Sequence, residues 1–386
     1  MRVLVTGGTG LLGNNIIRQL LADGDQVVAL VRGEPEPEVF ADLDVELLRA
    51  ELAPTPPGNP ESTQKPGDAD AADVSEQGKP AFRDQTNPPI AGNPGTGNRV
   101  DGDSDVDVLE AAIAGCDAVI HAAAMIHLGW KHLEESMWIN REGTRRIAQA
   151  CLRHRSKLVH VGTVNTLAVG SRRTVADETT PLEHAGGQIP CSYVQSKRAS
   201  VEVVLEAVSQ GLNAVIVHPG FMLGPFDWKP SSGRMMLELS RGWKPVSPSG
   251  GCSLCDVRDV AAATIAAMRT DVDSGRQYIL AGHNLTYQQL WTEMARRVGR
   301  RPPIRAAGPG MQYLAGLAGD GWTWLTGSEK DVNSAGVAMS AQYHWYDSKR
   351  AMQEIGYQIR SAETTLDDAG QWIRERFVLP EDGSDR

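Results

Sequence analysis

The sequence predicts an α/β protein: a doubly wound parallel sheet with helices on both faces, followed by a smaller, mainly helical lobe. Three observations predict it. Strand-like and helix-like segments alternate through the first half of the chain, the pattern of a parallel sheet built from crossovers. The strand-like runs "VLV", "VVALV" and "AVIH" are apolar without polar alternation, as strands buried on both faces should be. A glycine-rich turn, "TGGTGLLG", joins the first strand to the first helix.

The elements follow in order. "RVLVTG" reads as a strand, "LLGNNIIRQLLADG" as an amphipathic helix ending at Gly24, and "DQVVALVR" as the second strand. "DVELLRAEL" is a third strand candidate. Then come the helix "VDVLEAAIAG", the strand "DAVIHAAA", the helix "MWINREGTRRIAQACLRH" and the strand "KLVHVGT". A helix opening on "SYVQSK" and a strand, "NAVIVHP", complete the first lobe. It should comprise 1–53 and 105–225, with 251–275 returning to it. The second lobe, 226–250 and 276–386, holds the helix-like "GRMMLELSRG", "NLTYQQLWTEMARRVG" and "GMQYLAGLAGDGWTWLTG". The last is apolar and aromatic, which fits a wall or lid over a substrate pocket or, alternatively, an interfacial helix.

Residues 54–104 interrupt this rhythm with nine prolines, seven glycines and eight acids against four bases. Val74, Phe82, Ile90 and Val100 stand alone there. So little apolar surface cannot offset the entropy of ordering the segment, which is expected to be a disordered, acidic surface insertion.

Bulk properties narrow the function classes. A net charge of −10 over 386 residues argues against nucleic-acid binding, and no apolar run is long enough to span a bilayer. The chain opens directly on a strand, without a leader, and carries an odd number of scattered cysteines, five. Both features point to the cytoplasm. Cys252 and Cys255 of "CSLC" read as a buried strand rather than half a zinc site. His121, His127 and His132 have no metal-ligand spacing, so no metal is expected.

The glycine-rich turn satisfies G-x-G-x-x-G between a strand and a helix, the context that the dinucleotide fingerprint of a Rossmann-type fold requires. The backbone there can approach a pyrophosphate, which rests on the N–H groups of the helix start. Gly7, Thr9, Gly10, Leu11, Leu12 and Gly13 are the candidate contacts. At the end of the second strand, where an acid would bind a ribose, stands Arg32. An arginine suits a 2′-phosphate, so NADP is favoured, with NAD the alternative.

In "SYVQSK", Tyr193 and Lys197 lie four residues apart and share one helix face. An ammonium beside a phenol favours the phenolate, so the Tyr193 pKa is expected to fall below about 10.

A glycine loop followed far downstream by Tyr-x-x-x-Lys resembles the extended short-chain dehydrogenase/reductase family. "VIHAAA" (119–124), "NREGT" (140–144), "HPGFMLGP" (218–225), "DVRDVA" (256–261) and "DSKRAMQEIGY" (347–357) are similar to its further motifs. Nearest is the epimerase/dehydratase branch, in its dihydroflavonol-reductase-like or hopanoid-associated sugar epimerase-like subgroup; "DWKPSSGRMM" and "GGCSLCDVRDV" carry that likeness. The resemblance implies that Tyr193 is the proton carrier, that Thr163 holds the substrate oxygen, and that Lys197 also grips the nicotinamide ribose. It places Glu51 and Leu52 near the adenine, and Ala122, Ala123, Ala124, Asn140, Pro219 and Phe221 along the cofactor. Gly162 departs from the Ser that often precedes Thr163, and Thr166 is a less favoured substitute hydroxyl. A homodimer through paired helices of the first lobe is also implied.

Three functions compete at this point. One is an oxidoreductase that reduces a carbonyl or oxidises a secondary alcohol of a small molecule. Another is a nucleotide-sugar epimerase or dehydratase that retains NAD, with Lys229, Arg234, Arg241 and Lys244 as diphosphate candidates. The third is a non-catalytic NADP-binding redox sensor. Trp228, Trp243, Trp322 and Trp324 would suit an apolar substrate equally well.

Overall fold

The computed structural model describes residues 1–53, 103–330 and 332–379. The expected disordered insertion lies outside the described residues, except for Asp103 and Ser104, which open a helix.

The first lobe runs β1 (Arg2–Thr6), α1 (Leu11–Ala22), β2 (Gln26–Val31), β3 (Glu46–Arg49), α2 (Asp103–Ala114), β4 (Ala118–His121), α3 (Leu133–Met137), α4 (Gly143–His154), β5 (Lys157–Val161), α5 (Ser192–Ser209) and β6 (Ala214–Pro219). Then follow β7 (Phe221–Leu223), α6 (Arg234–Arg241), β8 (Val246–Ser247), β9 (Gly251–Asp256), α7 (Val257–Arg269), β10 (Arg276–Leu280), β11 (His283–Thr286) and α8 (Tyr287–Arg297). The chain ends with β12 (Arg305–Ala306), α9 (Pro309–Thr326), α10 (Ser334–Ala341), β13 (Tyr343–His344), α11 (Lys349–Glu354) and α12 (Ala362–Ile373).

Seven parallel strands in the order β10-β6-β5-β4-β1-β2-β3 form the main sheet. The unbroken apolar runs explain its two covered faces. Val3, Val5, Val27, Ala29, Ile120, Val159 and Val215 point to one side, against α1 and α7. Leu4, Val28, Leu30, Val119, Leu158 and Ile216 point to the other, against α2, α4 and α5. Each strand feeds both cores because successive side chains alternate across a sheet.

Two boundaries differ from the sequence reading. Strand β10 forms the edge of the main sheet beside β6, although the first lobe was expected to stop at 275. Strand β9, expected to return to the first lobe with α7, instead pairs with β7, β11 and β13 in a separate small sheet. That sheet packs with α6, α8 and α12 around Leu223, Met236, Leu254, Leu290, Met294 and Ile373, which form the core of the second lobe. Cys252 and Cys255 lie buried and unpaired in β9. Among the described residues, no helix is long and apolar enough to cross a membrane.

Asp256 ties these parts together. Its fully buried carboxylate caps α7 through the Arg258 N–H at 2.9 Å and accepts both Nε (2.9 Å) and Nη2 (2.7 Å) of the same arginine. Arg258 also meets Asp368 at 2.6 Å, so loss of Asp256 removes its buried, two-point partner and leaves it this half-exposed one. The Asp256→Ala variant should lose about 3 kcal/mol of unfolding free energy in urea titrations, with the substitution also costing the helix cap.

Candidate active site

The chain leaves β1 at the centre of the sheet, builds outward to β3, then returns to lay β4 on the opposite side of β1. A crevice opens outside the C-terminal ends of β1 and β4, where open α/β sheets bind their ligands. Backbone contacts close its floor. Gly7 has φ +74°, and a Cβ there would stand 2.8 Å from the Ala123 nitrogen. A Cβ on Gly13 would stand 2.2 Å from the Gly7 oxygen. Helix α1 starts at this point with no side-chain cap and no acid in its first turn, and Gly10 before it is exposed. Uncapped N–H groups beside an exposed glycine fit the pyrophosphate of a dinucleotide. Thr9 is half-buried in the loop, and Leu11 and Leu12 are buried in the first turn.

The other cofactor candidates surround this loop. Ala122 and Ala123 follow β4 half-buried, Ala124 is exposed, and the Ala123 N–H donates to Thr6 Oγ1 at 3.1 Å. Arg32 projects from the end of β2, exposed, while the carboxylate of nearby Glu34 is held by Arg49 at 2.9 Å. Glu51 is exposed just past β3, and Leu52 is buried against Gly143 at the start of α4. Pro219 ends β6. Phe221 lies beyond the crossing at Gly220 and packs against the core of the second lobe.

The proton-handling candidates come together at the end of β5. The Thr163 hydroxyl stands beside the Tyr193 phenol and favours its ionised form. Lys197 is buried one turn along α5, and its Nζ donates to the Val161 carbonyl at 2.7 Å. The first turn of α5 lacks a side-chain cap, and backbone carbonyls serve instead. The N–H of Ser192 donates to the Gly129 oxygen at 2.9 Å, and that of Tyr193 to the His127 oxygen at 3.2 Å. Thr166 is not a substitute for Thr163, because its hydroxyl donates to the Thr163 carbonyl at 2.8 Å.

One expectation is corrected. The Tyr193 pKa is raised, not lowered: burial pushes it up, and the neighbouring Thr163 hydroxyl offsets only part of that. Lys197 is turned to a carbonyl, and burial pulls its own pKa down to about 8.

Sequence reasoning missed the polar chain that braces these groups. Thr6 Oγ1 lies 2.7 Å from His121 Nδ1, and His121 Nε2 lies 3.0 Å from Thr144 Oγ1. The Thr144 hydroxyl donates to the Asn140 carbonyl, and Asn140 Nδ2 donates to Ser196 Oγ at 2.9 Å. Asn140 sits in a π-helical turn, Trp138–Glu142, and also clamps Met125 through its N–H and carbonyl. The chain therefore runs from the glycine loop to α5. His218, on β6, places Nδ1 3.2 Å from the Thr163 carbonyl. Its ring also explains Gly162, since a Cβ there would stand 2.6 Å from His218 Nδ1. The only visible signal was the polar interruption of otherwise apolar strands by His121, His160 and His218.

The diphosphate candidates fare differently. Arg241 and Lys244 both pair with Glu238 at the surface, and Lys229 is exposed. Trp228 packs edge-on against Trp372, whereas Trp243, Trp322 and Trp324 are exposed. Among the described residues no cluster of His, Cys, Asp or Glu could hold a metal.

The fold and crevice define a nicotinamide-dependent enzyme of the extended short-chain dehydrogenase/reductase type, and comparison with known proteins agrees. Residues 3–281 match the model of the NAD dependent epimerase/dehydratase family, and the chain belongs to that family. It is similar to a dihydroflavonol 4-reductase-like protein of Synechocystis sp., 29% identical over 96% of this chain and 94% of the relative. It is also similar to sterol demethylase protein B of Methylococcus capsulatus, 24% identical over 98% of this chain and 100% of the relative. The solved structure of gox2253 superimposes with a TM-score of 0.74, at 27% identity, over 98% of this chain and 99% of that one.

The depressed pKa of Lys197 has a consequence for stability. The folded protein binds this proton less tightly than the unfolded chain, so stability rises with pH between about 8 and the ordinary lysine value of 10.5. Between pH 8 and 9.5 the wild type should gain on the order of 1–2 kcal/mol relative to Lys197→Met in urea unfolding.

Proposed function

We propose that this protein is an NADP(H)-dependent oxidoreductase that interconverts a carbonyl and a secondary alcohol on a small, largely apolar molecule. The observation that carries the reading is the Thr163 hydroxyl set beside the Tyr193 phenol at the end of β5, with Lys197 buried one turn further along the same helix. When bound, the nicotinamide would supply or accept the hydride at the substrate carbon. The remaining chemistry belongs to the chain. Thr163 donates a hydrogen bond to the substrate oxygen and fixes its position. Tyr193 gives its proton to that oxygen as negative charge develops there, a step worth typically 10²–10⁴-fold in rate. A raised phenol pKa keeps Tyr193 protonated at neutral pH, which suits the acid role in carbonyl reduction. Lys197, held by the Val161 carbonyl, keeps its ammonium buried one helical turn from Tyr193, where it would meet the cofactor side of the site.

Two features support NADP and a releasable cofactor: Arg32 stands where a 2′-phosphate would lie, and Glu34 is engaged by Arg49. The names of two relatives, a dihydroflavonol 4-reductase-like protein and sterol demethylase protein B, support an apolar polycyclic substrate class. A nucleotide-sugar epimerase would instead keep its cofactor through each turnover, and here two of the proposed diphosphate cations are already paired to Glu238.

The Tyr193→Phe variant should lose at least about 100-fold in kcat with NADPH and a ketone substrate while binding NADPH unchanged by fluorescence titration. Retained turnover would remove Tyr193 from the mechanism, and NAD(H) carried tightly through purification would favour the epimerase. The Arg32→Ala variant should weaken NADPH binding about tenfold and leave NADH binding unaltered, measured by the same titration.

A further inference from the structure

Helix α9 turns an unbroken apolar face to the outside. Its buried side is narrow, made of Gly316, Gly319 and Thr323, with Gly316 against Ser334 and Gly319 against Val332 and Asn333. The rest of its circumference carries Tyr313 (68% exposed), Leu314 (66%), Leu317, Trp322, Trp324 (84%) and Leu325 (75%). A helix that faces water normally presents charged residues there. The sole charged residue of α9, Asp320, is directed inward and accepts the Ser334 N–H at 3.0 Å. A patch of this size on one helix marks a surface that something covers.

The surroundings of the patch identify what that is. Arg301 and Arg305 lie exposed on the segment leading into α9, and Lys330 lies exposed just beyond it, 3.9 Å over the Trp322 ring. Among the described residues none of the three is paired with a carboxylate. Of the described residues, Glu329 adjoins Lys330 and is turned inward, with its carboxylate accepting from His127 Nε2 at 2.7 Å. Cations therefore border the patch on a chain whose net charge is −10. Tryptophan, tyrosine and leucine exposed on one helix, with cations on the segments that flank it, combine the apolar and electrostatic contacts by which interfacial helices hold anionic bilayers. A second copy of this chain fits less well. A two-fold interface pairs a patch with itself, which would bring these cations together.

We infer that α9 docks this protein on the surface of an anionic lipid bilayer, with Trp324 and Leu325 seated among the lipids and Arg301, Arg305 and Lys330 at the headgroups. The docked surface is continuous with the active-site wall. Ile126, Leu128 and Trp130 are exposed on the loop joined to this region: Trp130 Nε1 donates to Ser334 Oγ at 2.8 Å, and Asn333 Nδ2 donates to the Leu128 oxygen at 3.0 Å. The same loop supplies the carbonyls that cap the helix of Tyr193. Docking would thus set the mouth of the site at the lipid surface.

Flotation of the full chain with vesicles tests this, and it is independent of the hydride-transfer reading because it needs neither cofactor nor turnover. The wild type should float with phosphatidylglycerol–phosphatidylcholine vesicles, and much less with phosphatidylcholine alone or in high salt. The Trp324→Glu/Leu325→Glu variant should lower the bound fraction at least about tenfold, with its thermal melt unchanged. Arg301→Gln/Arg305→Gln should weaken binding to the anionic vesicles by about tenfold. In the wild type itself, tryptophan emission should shift to shorter wavelength and become protected from iodide quenching as anionic vesicles are added. Wild-type protein that stays unbound, or a Trp324→Glu/Leu325→Glu variant that floats equally well, would overturn the inference. So would a stable dimer that the same variant dissolves without any vesicle binding by the wild type.

Discussion

The close approach of three backbone segments, at Gly7, Gly13 and the Ala122–Ala123 peptide, is the constraint on which the site depends. A Cβ on either glycine would lie 2.2–2.8 Å from a neighbouring main-chain atom, well inside contact distance. The end of β1, the start of α1 and the end of β4 are therefore fixed to one another by atoms that have no rotamers. With the helix start placed this way, its uncapped N–H groups face the crevice, and the chain emerging from β4 is directed towards α5. The position of every candidate side chain is measured from this junction.

From it runs the buried polar chain, whose hydrogen-bond arithmetic leaves little freedom. The Thr144 hydroxyl gives its one hydrogen to the Asn140 carbonyl, so it must accept from His121 Nε2–H. His121 Nδ1 is then an acceptor and takes the Thr6 hydroxyl hydrogen, while Thr6 Oγ1 accepts the Ala123 N–H. A neutral imidazole is required at every step, and burial enforces it by lowering the His121 pKa to about 3. Networks satisfied this completely rigidify the elements they join. Gly162 belongs to the same design. The family's usual hydroxyl is absent because the His218 ring fills its space, and His218 supports the Thr163 carbonyl instead.

What could be read from the sequence was whatever local rules determine. The glycine spacing between a strand and a helix, the four-residue separation of Tyr193 and Lys197, and the unbroken apolar strands each follow from chain geometry within a few residues. What could not be read depends on which distant segment arrives. Lys197 was expected to act on the phenol through charge, but the Val161 carbonyl takes its ammonium, and burial of the whole helix face decides both pKa directions. The helix 310–327 was legible as a helix, whereas its narrow contact with Val332–Ser334, and hence its open apolar side, is tertiary information. Strand β10 reads like any short strand, and only its pairing with β6 assigns it to the main sheet.

Tyr193 is the residue at which the two lobes meet. Its side chain meets Thr163, which the main sheet presents at the end of β5, but its backbone N–H is held by the His127 carbonyl. That loop is in turn anchored to the segment after α9, where the Glu329 carboxylate accepts from His127 Nε2 and from the N–H groups of Trp130 and Lys131. Burial alone would raise the Glu329 pKa, yet these donors bring it below its ordinary value, so the anchor stays charged at neutral pH. Tyr193 is thus suspended between a rigid sheet edge and a strap from the second lobe. The sheet side fixes the cofactor crevice through backbone contacts that tolerate no change. The strap side instead centres on one carboxylate, since Glu329 alone receives the His127 ring and two N–H groups of the loop whose carbonyls hold the start of α5.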